Sequence, residues 1–168
     1  MSGDQMSGDR ADSLSSIVRP RSVAIVGASA DPIKPGARAL TELRRFRYPG
    51  RIHLVNNGRD QIAGMPCHPS VGSVPEVVDL AIIAVPRETV LPAVEECVKI
   101  GVRGVLIYSS GFSELDDDGA AIQDQLTRLA RSGGTRIVGP NCQGILDIAG
   151  GVSTVSYTHL TLPTNREV

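Results

Sequence analysis

Short apolar runs alternate with amphipathic segments along the chain from about residue 17 to residue 150. The apolar runs are predicted to be parallel strands buried on both faces, at residues 23–26, 51–55, 78–85, 104–108 and 136–138. The amphipathic segments are predicted to be helices near residues 37–47, 89–100 and 116–133. Repeated strand–helix units of this size require right-handed crossovers. The pattern therefore predicts an α/β domain with a doubly wound, mainly parallel, five-stranded Rossmann-like sheet and helices on both faces.

The two ends of the chain depart from this pattern. Residues 1–16 are polar and repeat the sequence Met-Ser-Gly-Asp, so they cannot bury enough apolar surface to offset their ordering entropy. We expect a disordered leader there. Residues 151–168 do not continue the strand–helix alternation, and we expect a truncated end with a non-native tail. The predicted domain therefore covers residues 17–150.

Composition and charge narrow the class of protein. Hydrophobic residues make up 41% and charged residues 21%, and the net charge of −1 gives no reason to expect a nucleic-acid surface. The three cysteines and three histidines show no metal-ligand spacing, and no run approaches the ~18 apolar residues of a membrane span. We expect a cytoplasmic protein with reduced thiols and no metal, and with neither nucleic acid nor a membrane as a partner.

The loop after the first strand is the first candidate for chemistry, because ligands of open parallel sheets bind beyond the carboxyl ends of the strands. Its sequence runs from Gly27 through Ala28 and Ser29 to Ala30, with Lys34 shortly after. Glycine lets the backbone approach a phosphate, the serine offers a hydroxyl, and the lysine offers a cation near a helix N-terminus. The alternative is a tight turn followed by a solvated lysine.

The loop after the second strand lacks a carboxylate that would hold the ribose diol of NAD. It reads Asn-Asn-Gly-Arg, and the first acid, Asp60, comes after Arg59. Arg59 is suited to bind an extra phosphate on that ribose, which NADP and CoA both carry. A solvated loop arginine is the alternative.

Small or rigid residues follow the next two strands. Val85 and Pro86 are predicted to shape the wall of a cleft, since proline fixes φ and donates no hydrogen bond. Arg87 either faces a ligand or opens the following helix. Ser109 and Ser110 supply hydroxyls and leave space for a ligand chain, unless they form a plain turn.

The last strand runs into Gly-Pro-Asn-Cys-Gln-Gly, which holds Asn141 and Cys142. No histidine is placed in the sequence to activate the thiol, so a structural or ligand-lining cysteine is favoured over a nucleophile.

Together these loops resemble the N-terminal CoA-binding domain of NDP-forming acyl-CoA synthetases, relatives of the succinyl-CoA synthetase alpha subunit. The resemblance covers about residues 17–150. It rests on Gly-Ala-Ser, Val-Asp-Leu-Ala-Ile-Ile-Ala-Val-Pro, Ser-Ser-Gly-Phe-Ser-Glu and Gly-Pro-Asn-Cys-x-Gly. One departure is Asn57, where the acyl-CoA synthetases usually have proline, so we expect a less rigid loop there.

The resemblance implies that coenzyme A, as ligand or substrate, binds at the strand ends. It implies that the glycine turn contacts CoA and that Arg59 takes the place of a basic CoA contact. The residues around Val85 and Tyr108 would line the pantetheine path. The predicted CoA-binding residues are Gly27, Ala28, Ser29, Ala30, Lys34, Arg59, Val85, Pro86, Tyr108, Ser109, Ser110 and Asn141.

The resemblance also implies a phosphate-carrying histidine in a second domain and an ATP-grasp module, and neither is expected within these 168 residues. We therefore expect a fragment of an ADP-forming acetyl-CoA synthetase (acetate–CoA ligase) that binds CoA or acyl-CoA and has no catalytic residue of its own. Its partners would be the missing ligase and ATP-grasp domains.

Two other functions stay open. The first is an NAD(P)-binding Rossmann oxidoreductase or redox sensor, against which the missing ribose carboxylate and the missing third glycine count. The second is a stand-alone CoA-binding regulatory protein, which the same residues would serve equally well.

Overall fold

A central, mainly parallel sheet organises the protein, for which a computed structural model describes residues 14–155. Of the leader expected over residues 1–16, residues 1–13 lie outside the described residues, whereas Ser16 is buried. Of the tail expected over residues 151–168, the part beyond residue 155 lies outside them, whereas Val152 and Ser153 are buried. In chain order the strands are β1 (Ser22–Val26), β2 (Arg51–Val55), β3 (Gln61–Ile62), β4 (Met65–His68), β5 (Leu80–Ile83), β6 (Gly104–Ile107) and β7 (Arg136–Val138). Their spatial order is β3-β4-β2-β1-β5-β6-β7. All five predicted strands are present, and the Rossmann-like α/β class is confirmed.

The sheet has seven strands rather than the five predicted, because β3 and β4 form a short hairpin at its edge. Positive φ angles at Ala63 and Gly64 turn the chain between them, as a two-residue hairpin requires. β4 then pairs in parallel with β2. Its sequence, Met-Pro-Cys-His, is too short to show a strand pattern, and Pro66 comes before Cys67, where the pairing with β2 begins.

Helices cover both faces of the sheet, as predicted. The helices are α1 (Pro35–Arg45), α2 (Arg87–Lys99) and α3 (Asp117–Gly133), with a 3₁₀ turn over Val71–Ser73 and a separate hairpin of β8 (Leu146–Asp147) and β9 (Val152–Ser153). α2 and α3 bury Val94 and Leu126 against one face, while α1 and β9 bury Leu43 and Val152 against the other. Every residue of β1, β5 and β6 is buried.

The order of the strands reverses between β1 and β5. The chain moves outward from β1 to β2 and then returns to place β5 on the other side of β1. The carboxyl ends of β1, β2 and β5 lie side by side, since Val26 pairs with both Val55 and Ile83. Such a switch point opens a crevice at the edge of the sheet.

The start of α1 packs directly on the turn that follows β1. A Cβ atom at Gly36 would overlap the carbonyl oxygen of Gly27, and one at Gly27 would overlap that of Ala84 beyond β5. Gly27 also has a φ of +87°, which disfavours any other residue. Glycine at these two positions therefore lets α1, the turn and the end of β5 approach each other.

We predict that Gly36→Ala destabilises the protein, although alanine is favoured over glycine within a helix by about 1 kcal/mol. The added methyl group has to displace the backbone of the turn, for which we expect a loss of about 1–3 kcal/mol in the free energy of unfolding. Urea unfolding would measure it. Gly58→Ala is the control, because the nearest atom to a Cβ there is 3.6 Å away. Equal stability of the two variants would contradict this account.

The carboxylate of Glu76, in the connection between β4 and β5, binds two side chains of β2. Glu76 accepts a hydrogen bond of 2.6 Å from Arg51, and its other oxygen lies 2.8 Å from Nε2 of His53. The hydrogen bonds from these two side chains, with the arginine the stronger influence, lower the pKa of Glu76 from 4.5 to about 2. The charged form of Glu76 is therefore the one that the fold favours.

We predict that Glu76→Gln lowers stability at pH 7 and that this difference shrinks as the pH falls from about 4.5 towards 2. A carboxyl whose pKa is depressed on folding stabilises the fold above its unfolded pKa, and this contribution is lost through the folded pKa. Chemical unfolding of both proteins between pH 7 and pH 3 would test it. If the difference in unfolding free energy between the two proteins stayed constant over this pH range, the proposed contribution of the Glu76–Arg51 ion pair would be wrong.

No helix within the described residues is both long enough and apolar enough to cross a membrane.

Candidate functional site

A cleft of about 750 Å³ lies at the strand-order reversal. It is bounded by the carboxyl ends of β1, β2, β5 and β6 and by the N-terminal parts of α1 and α2. Nine of the predicted CoA-binding residues line it together: Gly27, Ala28, Ser29, Lys34, Val85, Pro86, Tyr108, Ser109 and Ser110. The structure therefore brings residues from three separate strand ends to one surface.

Three predicted residues do not line this cleft. Ala30 is exposed just after the glycine turn. Arg59 is exposed in the loop after β2, three residues beyond Asn56, which does line the cleft. Asn141 donates its backbone N–H to the carbonyl of Ser109 at 2.9 Å, so it supports the cleft wall from behind.

The glycine turn directs its first two N–H groups inward rather than to the cleft. Gly27 and Ala28 both donate to the carbonyl of Val55, at 3.0 and 3.1 Å. Asn56 then donates its side-chain amide to the carbonyl of Ala28 at 2.9 Å, which ties β2 to the turn. Within the described chain, the backbone N–H groups of Ser29 and of the residue after it have no acceptor. These later donors, rather than those of the glycine itself, are free for an anion.

The wall opposite the glycine turn is the loop between β6 and α3, residues 108–116, which is the serine loop. Hydrogen bonds from its own side chains hold it in place. Ser109 donates its hydroxyl to the carbonyl of Val85 at 2.5 Å. The carboxylate of Glu114 accepts from the N–H groups of Gly111 and Phe112, at 2.7 and 3.1 Å, and these bonds lower its pKa. The wall is therefore held in place by hydrogen bonds that join consecutive residues of the loop and the neighbouring strand.

Arg87 opens the following helix, which was one of the two roles considered for it, and it also lines the cleft. Its guanidinium donates to both oxygens of Asp116, at 2.9 and 3.1 Å. Asp116 also caps α3 by accepting from the N–H of Gly119 at 2.6 Å. The ion pair with Arg87 lowers the pKa of Asp116 and joins the serine loop to α2.

Tyr108 and Cys142 carry groups that could serve in acid–base or nucleophilic chemistry, but each makes a hydrogen bond within the protein. Tyr108 is buried and donates its hydroxyl to the carbonyl of Thr154, and burial raises its pKa. Cys142 accepts from the N–H of Gly144 with its sulfur at 3.4 Å and does not line the cleft. Among residues 14–155, no group of three or more His, Cys, Asp or Glu side chains is arranged to hold a metal ion.

Sequence reasoning missed the end of the cleft that lies between α2 and the chain after β4. The residues there are Pro69, Ser70, Thr89, Ala93 and Glu96. The signal available in the sequence was the spacing of the last three, at positions i, i+4 and i+7, which places them along one side of a helix. Pro69 and Ser70 could not be placed at the cleft from the sequence, because the strand that precedes them, β4, was not predicted.

Comparisons with known proteins agree on one family. The profile of the family described as "CoA binding domain" matches residues 21–147. Acetate–CoA ligase (ADP-forming) II of Archaeoglobus fulgidus is 39% identical over 141 residues, which make up 84% of this chain and 21% of the ligase. The alpha subunit of acetate–CoA ligase (ADP-forming) I of Pyrococcus furiosus is 41% identical over 80% of this chain and 30% of the subunit.

A solved structure gives the same result. The dinucleotide-forming acetyl-coenzyme A synthetase 1 of Candidatus Korarchaeum cryptofilum, in complex with phosphate and ADP, superposes with a TM-score of 0.81 at 34% identity. The superposition covers 86% of this chain and 31% of the synthetase. The chain therefore spans between 21% and 31% of the length of these three relatives. It belongs to the CoA-binding-domain family and matches the CoA-binding region of ADP-forming acetate–CoA ligases.

Proposed function

We propose that the cleft binds coenzyme A, or its acyl thioester, as one substrate of an ADP-forming acyl-CoA synthetase that acts on acetate. The observation that carries this proposal is the shared cleft, in which a glycine turn, a lysine and a serine-lined wall meet in a chain of the CoA-binding family. The phosphate-transferring and nucleotide-binding parts of such a ligase would supply the catalytic steps. A cytoplasmic location is part of the proposal, since all three cysteines are unpaired.

The pyrophosphate of CoA is assigned to the N-terminal end of α1. The N–H groups of Ser29 and Ala30, which have no acceptor in the described chain, lie shortly before this end, and Lys34 is the N-cap residue of the helix. Pro35 occupies the first turn of the helix, where a missing N–H costs no hydrogen bond. Backbone donors, the helix dipole and a lysine together favour a doubly charged group here.

The pantetheine arm is assigned to the path between Val85–Pro86 and the serine wall. Ser110 is exposed beside this path, and the half-buried Ser109 keeps its oxygen free to accept a second hydrogen bond. Apolar contacts with proline and valine suit the methylene groups of the arm, and the hydroxyls suit its amides.

The 3′-phosphate of CoA is assigned to Arg59. The loop from Asn56 to Gly58 offers amide side chains and no carboxylate at the position where NAD enzymes hold the ribose. Arg59 is exposed and carries no hydrogen bond within the described chain, so its guanidinium is free to reach a phosphate at the rim of the cleft. This assignment separates CoA from NAD, because only CoA carries a phosphate on that ribose.

We predict that the protein binds CoA more tightly than dephospho-CoA and NADPH in isothermal titration calorimetry. Arg59→Ala should weaken CoA about tenfold or more, as expected for the loss of a hydrogen bond between charged groups, and should leave dephospho-CoA unchanged. Arg131→Ala, on an exposed position of α3, is the matched control. Tighter binding of NADPH than of CoA would refute the proposed function. An equal loss for both forms of CoA would refute the role of Arg59.

A further inference from the structure

The end of the cleft farthest along α2 carries a negative charge. Glu96 lines it together with Ala93 and Thr89 on the helix and with Pro69 and Ser70 across the gap. This end differs chemically from the end at α1, where Lys34 lies and where the N–H of Ser29 has no acceptor within the described residues. The cleft therefore has an anion-binding end and an end that repels anions.

One oxygen of the Glu96 carboxylate is fixed and the other is free. Its Oε1 accepts the N–H of Gly72 in the 3₁₀ turn at 2.9 Å. Gly72 lies so close that a Cβ on it would be 3.0 Å from that oxygen. Its Oε2 has no hydrogen-bond partner among the described residues. The half-buried side chain therefore presents a single oriented acceptor to the cleft.

The different chemistry of the two ends favours one direction for a nucleotide in the cleft. Phosphates held at the turn after β1 place the ribose at the end of β2, as in other ligands of this sheet type. A base attached to that ribose would extend past Asn56 towards the end lined by Glu96, since both residues line the same cleft. Electrostatic repulsion between the carboxylate and the phosphates disfavours the reversed orientation.

We propose that Glu96 selects adenine by accepting a hydrogen bond from its 6-amino group; this inference rests on the proposed binding of CoA. Adenine offers one amino donor at carbon 6, and Oε2 of Glu96 is one acceptor. Hypoxanthine and guanine carry an oxygen at the same carbon, which would face the carboxylate without a proton between them. Pro69 and Ala93 supply apolar surface for the faces of the base.

The test compares CoA with its etheno derivative, in which a two-carbon bridge closes the 6-amino group into a ring and removes the donor. We expect the unmodified protein to bind CoA about tenfold or more tightly than the etheno derivative, measured by calorimetry. Glu96→Gln keeps a carbonyl oxygen for Gly72 and turns an amide NH₂ towards the base. This variant should lose affinity for CoA by about the same factor and show no loss for the etheno derivative.

Glu95→Gln is the matched control, since the neighbouring glutamate is exposed on the same helix and does not line the cleft. It should bind both compounds as the unmodified protein does. Equal affinity of the unmodified protein for the two compounds would overturn the role of Glu96, whether or not the variant folds. So would a preference for CoA that persists in Glu96→Gln. If neither compound binds the unmodified protein, the proposed function itself is refuted.

Discussion

The close approach of three backbone segments at Gly27 is the constraint on which the cleft depends. The turn after β1, the start of α1 and the end of β5 meet there without side chains between them. Because α1 sits directly on the turn, Lys34 and Ser29 share one end of the cleft. A larger residue at Gly27 or Gly36 would separate these groups, so this end of the cleft keeps its shape only while both positions remain free of a side chain.

The walls of the cleft are held by the protein's own hydrogen bonds rather than by contacts that await a ligand. Glu114 satisfies the backbone of the serine loop, and Arg87 joins that loop to α2 through Asp116. On the other side, Asn56 joins β2 to the turn after β1. Such an arrangement lowers the entropy lost on binding, because fewer side chains have to be ordered when the ligand enters.

The sequence predicted the parts of the fold that depend on local patterns. The uninterrupted apolar runs of β1, β5 and β6 identified buried parallel strands, and the short motifs after them identified the family. It did not predict the hairpin of β3 and β4, because these strands have only two and four residues and β4 depends on pairing with β2.

Contacts between residues far apart in the sequence could not be predicted either, because they depend on how the elements pack against each other. Val55 takes up the N–H of Gly27 because the two strands lie in register, and Glu96 reaches Gly72 because α2 lies beside the 3₁₀ turn. Tyr108 belongs both to the cleft and to the packing of the β8–β9 hairpin, since its ring lines the one and its hydroxyl holds Thr154 just after the other. Any coupling between the cleft and the hairpin through Tyr108 would act equally in both directions, so a ligand that restrained this side chain would also stabilise the hairpin.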